Sequence, residues 1–310
     1  VRPEILPPAE TAAEAEARVL GWLRAHGPRA LVALSGGADS ALVLSLAAQA
    51  LGPGQVLAVT SRSESLVPEE LEEAQAQARL LGVEHVTLAG SELDLEAFRR
   101  NAPDRCFHCK DSLYGELHRL AGVRSIALVL DGTNADDVGD HRPGHAAGLR
   151  HGVRSPLLEC GLSKALVRAV SSRRGLSTWD KPAEACLSSR FPYGTQVTAQ
   201  GLGRVAAAER ALKQLGLRTV RVRVHDPVAR LEVPVEDLAR LLLPGVRERV
   251  IEGVKAAGFL YVALDLEGFR SGSLNETLRP PSVPDAATLG GAPLPDRPLS
   301  ERPLPKGPPA

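Results

Sequence analysis

Four groups of residues in this chain have types and spacings that could do chemistry. The first is Ser35-Gly36-Gly37-Ala38-Asp39-Ser40, which follows the short apolar run Ala30 to Leu34 and opens an apolar helical stretch. Glycines let the backbone approach a phosphate closely, and the unpaired N–H groups and positive dipole end of a helix start suit an anion. Ser35 and Ser40 add hydroxyl donors, while Asp39 can cap the helix or hold a magnesium ion. The loop lacks the third glycine of a dinucleotide fingerprint and the Gly-Lys-Ser/Thr of a Walker loop. A glycine-rich turn with a capping serine is the plainer reading, and the strand–loop–helix context argues for phosphate.

The second group is Cys186, which lies between Lys181 and Arg190 in a stretch without periodicity. Nearby cations lower a thiol pKa, and the resulting thiolate can attack an activated carboxylate, although a lone cysteine is more often a small buried hydrophobe. Third comes Cys106-x-x-Cys109, which fits half a zinc site, part of an iron–sulfur site or a redox pair. No second CxxC follows. Cys106, Cys109 and Cys186 could together hold three irons of a [4Fe-4S] cubane, and the bland alternative is a loop with two reduced thiols beside the site. Cys160 reads as structural. Arg221 and Arg223 form the fourth group: two apart on a strand, they share a face, with Arg230 near, and suit a phosphate or else a solvated surface. His141, His145 and His151 fall in a Gly/Pro-rich stretch that reads as loop, so they do not form a helical metal site. Glu69, Glu70, Glu72 and Glu73 read as the solvated face of a helix.

Positioning these groups requires particular elements. Residues 11–27 read as a helix stopped by Gly27-Pro28, after which strand, loop and helix repeat. Strands are expected at Ala30–Leu34, Gln55–Thr60, Val83–Leu88 and Ser125–Leu130, with helices at Asp39–Leu51, Pro68–Leu81 and Asp111–Leu120. That alternation means a parallel sheet with right-handed crossovers and ligands beyond the C-terminal strand ends. Helices at Leu162–Arg174, Ala199–Leu215 and Val246–Ala257, an alternating run at Thr219–Val233 and a strand at Phe259–Leu266 complete the pattern. The expected architecture is α/β: a doubly wound parallel sheet over 12–175, a loop or linker over 176–197, and a smaller α+β domain over 198–278. Ten of the last 32 residues are proline, so 279–310 reads as a disordered tail.

Composition sets the outer limits. The chain has 310 residues, enough for two domains, with 37 basic and 37 acidic side chains and a formal net charge of zero. That balance argues against a protein whose main task is gripping nucleic acid or an anionic membrane. No apolar run reaches a membrane span, and no signal-peptide pattern opens the sequence. Four cysteines are too few for a disulfide scaffold, so a reducing cytoplasm is expected.

SGGADS after a first strand resembles the pyrophosphate loop of the ATP pyrophosphatases, the PP-loop superfamily, and Asp131-Gly132-Thr133-Asn134-Ala135-Asp136-Asp137 at the end of the fourth strand is similar to that superfamily too. The segments Asn101 to Lys110 and Lys181-Pro-Ala-Glu-Ala-Cys186-Leu-Ser-Ser-Arg190-Phe-Pro-Tyr-Gly194 resemble the LarE family, ATP-dependent sacrificial sulfur transferases of nickel-pincer nucleotide biosynthesis. The similarity runs from about residue 12 to 270. It implies ATP and magnesium ion at Ser35, Gly36, Gly37, Asp39 and Ser40, with Thr60, Asp131, Gly132, Thr133 and Asp137 as further nucleotide contacts. It implies Cys186 as the nucleophile, forming a thioester whose Cβ–S bond then breaks to leave dehydroalanine, with Ser189 and Arg190 beside it. Arg221 and Arg223 would bind phosphate, and Glu209 and Glu232 would lie near a metal. The implied substrate is a pyridinium dicarboxylate mononucleotide, and the implied assembly a homo-oligomer. The rivals are a tRNA thiolase, an amide-forming NAD or GMP synthetase relative, and a noncatalytic nucleotide or iron–sulfur scaffold.

Overall fold

The computed structural model describes residues 11–139, 143–182, 184–270 and 272–278. Its chain begins with α1 (Ala12–Ala25), opened by a reciprocal cap in which Thr11 Oγ1 accepts from the Glu14 N–H and Glu14 accepts from the Thr11 N–H. Then follow β1 (Ala30–Ala33), α2 (Ala38–Leu51), β2 (Val56–Arg62), α3 (Pro68–Leu80), β3 (Glu84–Ala89), α4 (Glu96–Arg99), α5 (Arg105–Val123) and β4 (Leu128–Leu130). The four strands pair in parallel in the order β3-β2-β1-β4. Alternate strand residues serve opposite faces, as the pleat requires. Ala30, Val32, Val56 and Ala58 join the core formed with α1, α2 and α3, whereas Leu31, Leu57 and Val59 join Tyr114, Leu117 and Ala121 of α5. Burial on both faces explains why these strands read as continuous apolar runs. The chain leaves β1 for β2 on one side and reaches β4 on the other, so a topological switch point lies at the C-terminal end of β1.

After β4 come α6 (Pro143–Arg150), α7 (Pro156–Glu159) and α8 (Lys164–Arg173), the last adding Val167 and Val170 to the first core. Among the described residues of 176–197, a 3-10 turn at Leu187–Arg190 interrupts an otherwise irregular course. Beyond it, α9 (Ala199–Lys213), β5 (Arg221–His225), β6 (Val228–Glu232), α10 (Val235–Leu241), α11 (Val246–Ala256) and β7 (Tyr261–Leu264) build a second sheet in the order β5-β6-β7. Its β5–β6 pair is antiparallel and its β6–β7 pair parallel, over a core shared with α9 and α11. The described residues from Thr11 through Leu274 belong to one compact unit. Among the described residues no helix is long and apolar enough to cross a membrane.

Three local expectations change. The alternating run 219–233 is a hairpin broken at Asp226-Pro227, since proline cannot donate to a ladder. The helix expected from Asp111 begins at Arg105, so Cys106 and Cys109 lie in its first two turns and not in a loop. His145 lies on α6 and not in a loop, with His151 following its end, while His141 lies outside the described residues.

Candidate active site

Loop 35–37 runs from β1 into α2 at the switch point. Ser40 Oγ accepts from the Ser35 N–H at 3.1 Å and bonds the Gly37 carbonyl and Ser35 Oγ at 3.2 and 3.0 Å, closing the loop on itself. Gly36 is required twice. Its φ is +80°, and a Cβ there would stand 2.5 Å from the Glu70 carbonyl oxygen of α3. Gly132, just beyond β4, is equally confined, since a Cβ would meet the Ser40 nitrogen at 2.7 Å. The two glycines let α3 and the segment after β4 press against the opening of α2, whose N-cap Gly37 offers no side chain to its N–H groups.

The carboxylates around this opening have different tasks. Asp39 is held by the Lys164 ammonium from the start of α8 and accepts from Asn134 Nδ2 at 3.3 Å. Asp131 is almost fully buried and accepts from Tyr114, Thr133 and Ser155 hydroxyls at 2.9, 3.0 and 2.6 Å, and from the Thr133 N–H. Burial pushes the Tyr114 phenol up to about 12, so it remains a donor. Asp137 accepts from the Asn134 N–H at 3.1 Å, closing the turn after β4. Thr60 is buried and donates to the Leu34 carbonyl at 2.7 Å, which ties β2 to the root of the loop; its remaining lone pairs face His85 Nε2 at 2.9 Å.

Cys186 lies at the head of the 3-10 turn, exposed, with its Sγ 2.9 Å from Ser188 Oγ. Three guanidiniums clamp the carbonyls around it. Arg190 Nη1 donates to the carbonyls of Ala185 (2.6 Å) and Cys186 (3.3 Å) and to Ser189 Oγ (3.0 Å). Arg105 donates to the Ser188 carbonyl at 2.9 Å, and Arg223 to that of Ser189 at 2.7 Å. The Leu187 N–H donates to the Ser65 carbonyl at 2.9 Å. Each clamp is itself held: Arg190 pairs twice with Glu209 at 2.8 and 2.9 Å, and Arg223 with Glu232 at 2.9 Å. Glu209 also accepts from the Val222 N–H, and Glu232 from Arg230. Among the expected site residues, Arg190, Arg223, Glu209 and Glu232 therefore form a buried scaffold under the thiol, and the Arg223 side of β5 is not solvated. Arg221 differs. Its guanidinium has no acceptor among the described residues, stacks on Phe269 at 4.4 Å, and is driven down to about 10 by burial and then by Arg190 and Arg223.

Cys160 is buried in the first core, whereas Cys106 and Cys109 lie close enough to the turn to feel the charge of Cys186. Cys106 is raised by desolvation from the surrounding protein, though part of its surface meets solvent, and next by the charge of Cys186. Burial lifts Cys109 well above the ordinary thiol range, followed by Glu92, whose carboxylate is 3.6 Å from its Sγ, and by Cys186. All four cysteines are free, and among the described residues no group of three or more His, Cys, Asp or Glu side chains is arranged to hold a metal ion.

Local sequence pattern gave no signal for Lys164, Tyr114 or Ser155, and Asn134 and Arg105, though inside recognised motifs, had no role assigned. The Lys164–Asp39 pair, for instance, joins residues 125 apart in the chain. Lys181, expected near Cys186 as a cation, donates instead to the Gly36 carbonyl at 3.0 Å and to Glu73 at 2.6 Å.

The NAD synthase family model matches residues 23–106, the segment that carries the loop. An uncharacterized protein of Synechocystis sp. is 45% identical over 250 residues, covering 81% of this chain and 93% of that protein. The pyridinium-3,5-bisthiocarboxylic acid mononucleotide synthase of Lactiplantibacillus plantarum is 41% identical over 253 residues, 81% of this chain and 90% of that enzyme. The NH(3)-dependent NAD(+) synthetase of Methanosarcina mazei is 36% identical over 96 residues, 29% of this chain and 37% of its own length.

Proposed function

The chain belongs to the LarE family, that of the pyridinium-3,5-bisthiocarboxylic acid mononucleotide synthase, and from that premise we propose that it adenylates a carboxylate of a pyridinium dicarboxylate mononucleotide and replaces it with a thiocarboxylate. The enzyme class is ATP-using sulfur transfer within the PP-loop superfamily. ATP is the co-substrate, its phosphates received by Ser35 to Ser40 and the opening N–H groups of α2. Glu209 and Glu232 spend their oxygens on Arg190, Val222, Arg223 and Arg230 under the thiol, whereas Asp39 lies at the opening of α2 and would hold magnesium, a hard cation suited to its oxygens, in exchange for its contact with Lys164. The magnesium ion would supply charge neutralisation on the leaving pyrophosphate.

In this reading a substrate carboxylate oxygen attacks the α-phosphorus, the bond to pyrophosphate breaks, and an acyl-adenylate forms. The Cys186 thiolate attacks the acyl carbon and displaces AMP, its proton passing to solvent. Loss of the Cys186 α-proton to a base then breaks Cβ–S, releasing the thiocarboxylate and leaving dehydroalanine. Arg221, half-buried beside the turn, stacked on Phe269 and without an acceptor among the described residues, is the cation that would meet the substrate phosphate. Ser189 abuts the thiol's turn and, through Arg190, fixes its shape.

The observation that carries the proposal is the exposed Cys186 thiol on a turn whose carbonyls are held by Arg105, Arg190 and Arg223. Such a support suits a sulfur that must meet a large nucleotide without moving. Intact mass after turnover tests it: loss of one hydrogen sulfide molecule per chain, mapped to Cys186, is expected. A second reading keeps the sulfur supply catalytic, with Cys106, Cys109 and Cys186 holding a [4Fe-4S] cluster. The three thiols are not arranged as a metal-holding group, and burial keeps Cys106 and Cys109 protonated, which counts against it; it expects unchanged mass with thiolated product. Full activity in Cys186→Ala would instead point to the amide-forming relatives. A chain of this size with four cysteines and no disulfide scaffold suits a cytoplasmic setting.

A further inference from the structure

The Lys181 ammonium sits where the two halves of the site meet. It donates to the Gly36 carbonyl of the phosphate loop at 3.0 Å and to Glu73 at 2.6 Å, with Glu70 at 3.9 Å, while Cys186 follows five residues later on the same strand of chain. Sequence pattern makes the glutamates of α3 a solvated face, but the Glu70 and Glu73 side chains are only 13% and 32% exposed because Lys181 and the loop cover them. The charged groups around Glu70 do not balance. Lys181 faces Glu70 and Glu73, Lys213 of α9 is paired with Glu184 at 2.9 Å, Arg190 is matched by Glu209, and Arg210 by Glu69. One carboxylate is therefore in excess, and burial raises Glu70 to about 7 despite Lys181.

We propose that Lys181 is a phosphate-contacting residue of the adenylation site, which passes from Glu70 and Glu73 to the β- and γ-phosphates when nucleotide fills the loop, and that Glu70 takes up a solvent proton as the ammonium leaves it. This deepens the adenylating sulfur-transfer reading and rests on it. An ammonium needed only to neutralise Glu73 has no reason to lie against a carbonyl of the phosphate loop. There it is one short side-chain rotation from any anion that loop holds, and a lysine is a compact point charge well suited to such a move. Bringing phosphate charge into a region already rich in carboxylate raises the cost of keeping Glu70 ionised, so binding and protonation are linked.

Calorimetric binding of magnesium pyrophosphate and, separately, of AMP to the full chain tests the proposal in two buffers of different ionisation enthalpy near neutral pH. Lys181→Met should weaken pyrophosphate by about tenfold or more and leave AMP within about twofold, and Lys181→Arg should recover most of the loss. The wild type should take up protons on binding pyrophosphate, and Glu70→Gln should not. Equal weakening of both ligands in Lys181→Met means a structural role and overturns the proposal, as does unchanged pyrophosphate affinity or proton uptake that survives Glu70→Gln. A wild type that binds neither ligand overturns the adenylating reading itself, and this inference with it.

Discussion

At the scale of single residues, side chains that look alike in sequence have been given opposite work by their surroundings. Arg190 is expected beside the nucleophile and Arg221 at a phosphate, yet Arg190 is committed to Glu209 and the turn carbonyls while Arg221 has no acceptor among the described residues. Arg190→Ala should leave the Glu209 carboxylate buried and uncompensated, costing about 3–5 kcal/mol in chemical denaturation; Arg221→Ala should leave stability nearly unchanged and raise KM for the mononucleotide. Glu70 makes a pH-dependent prediction. Its folded pKa lies near 7, above the usual carboxylate value, so the stability it lends in acid is lost as pH rises through the interval from about 4.5 to 7. Glu70→Gln should be no more stable than the wild type at pH below about 4.5, and more stable above pH 7 by up to about 3 kcal/mol, read from denaturation midpoints across that range. None of this was legible locally: the glutamate run has the spacing of a solvated helix face, and only the long-range approach of Lys181 covers it.

At the scale of elements, the junction of β1 with α2 is where local rules and global packing agree. The strand–SGGADS–helix pattern placed the loop correctly, because the glycines and serines encode the turn itself. What the pattern could not show is that α3 and the segment after β4 lean on it from either side. Gly132→Ala should displace the α2 opening, raising KM for ATP several-fold with little change in the fate of Cys186; a KM unchanged within twofold would remove that role. Elements with weak internal patterning were harder to read. The start of α5, Arg105-Cys106-Phe107-His108-Cys109, has no clean apolar stripe and is fixed by Arg105 reaching Asn101 and the Ser188 carbonyl. The β5–β6 hairpin alternates across its turn as one strand would, and Pro227 was the only local mark of the break.

At the scale of the molecule, the parallel sheet supplies the proposed phosphate loop at its switch point, and the second sheet supplies β5 arginines under a thiol-bearing turn. The strand–helix alternation made the first half legible, since parallel strands buried on both faces announce themselves as apolar runs. The shape of the site was not legible, because it is assembled from Ser65, Asn101, Arg105, Arg190 and Arg223, which share no periodicity. A zero net charge with few unpaired cations at the site predicts that magnesium ATP binding depends on salt only modestly, and that tRNA at low salt does not compete with it. The most direct test of the central claim is intact mass after reaction with ATP, magnesium and the pyridinium dicarboxylate mononucleotide, followed by peptide mapping. Sacrificial transfer requires loss of one hydrogen sulfide molecule at Cys186, matched one for one by thiocarboxylate formed; thiolated product from a chain of unchanged mass would rule it out.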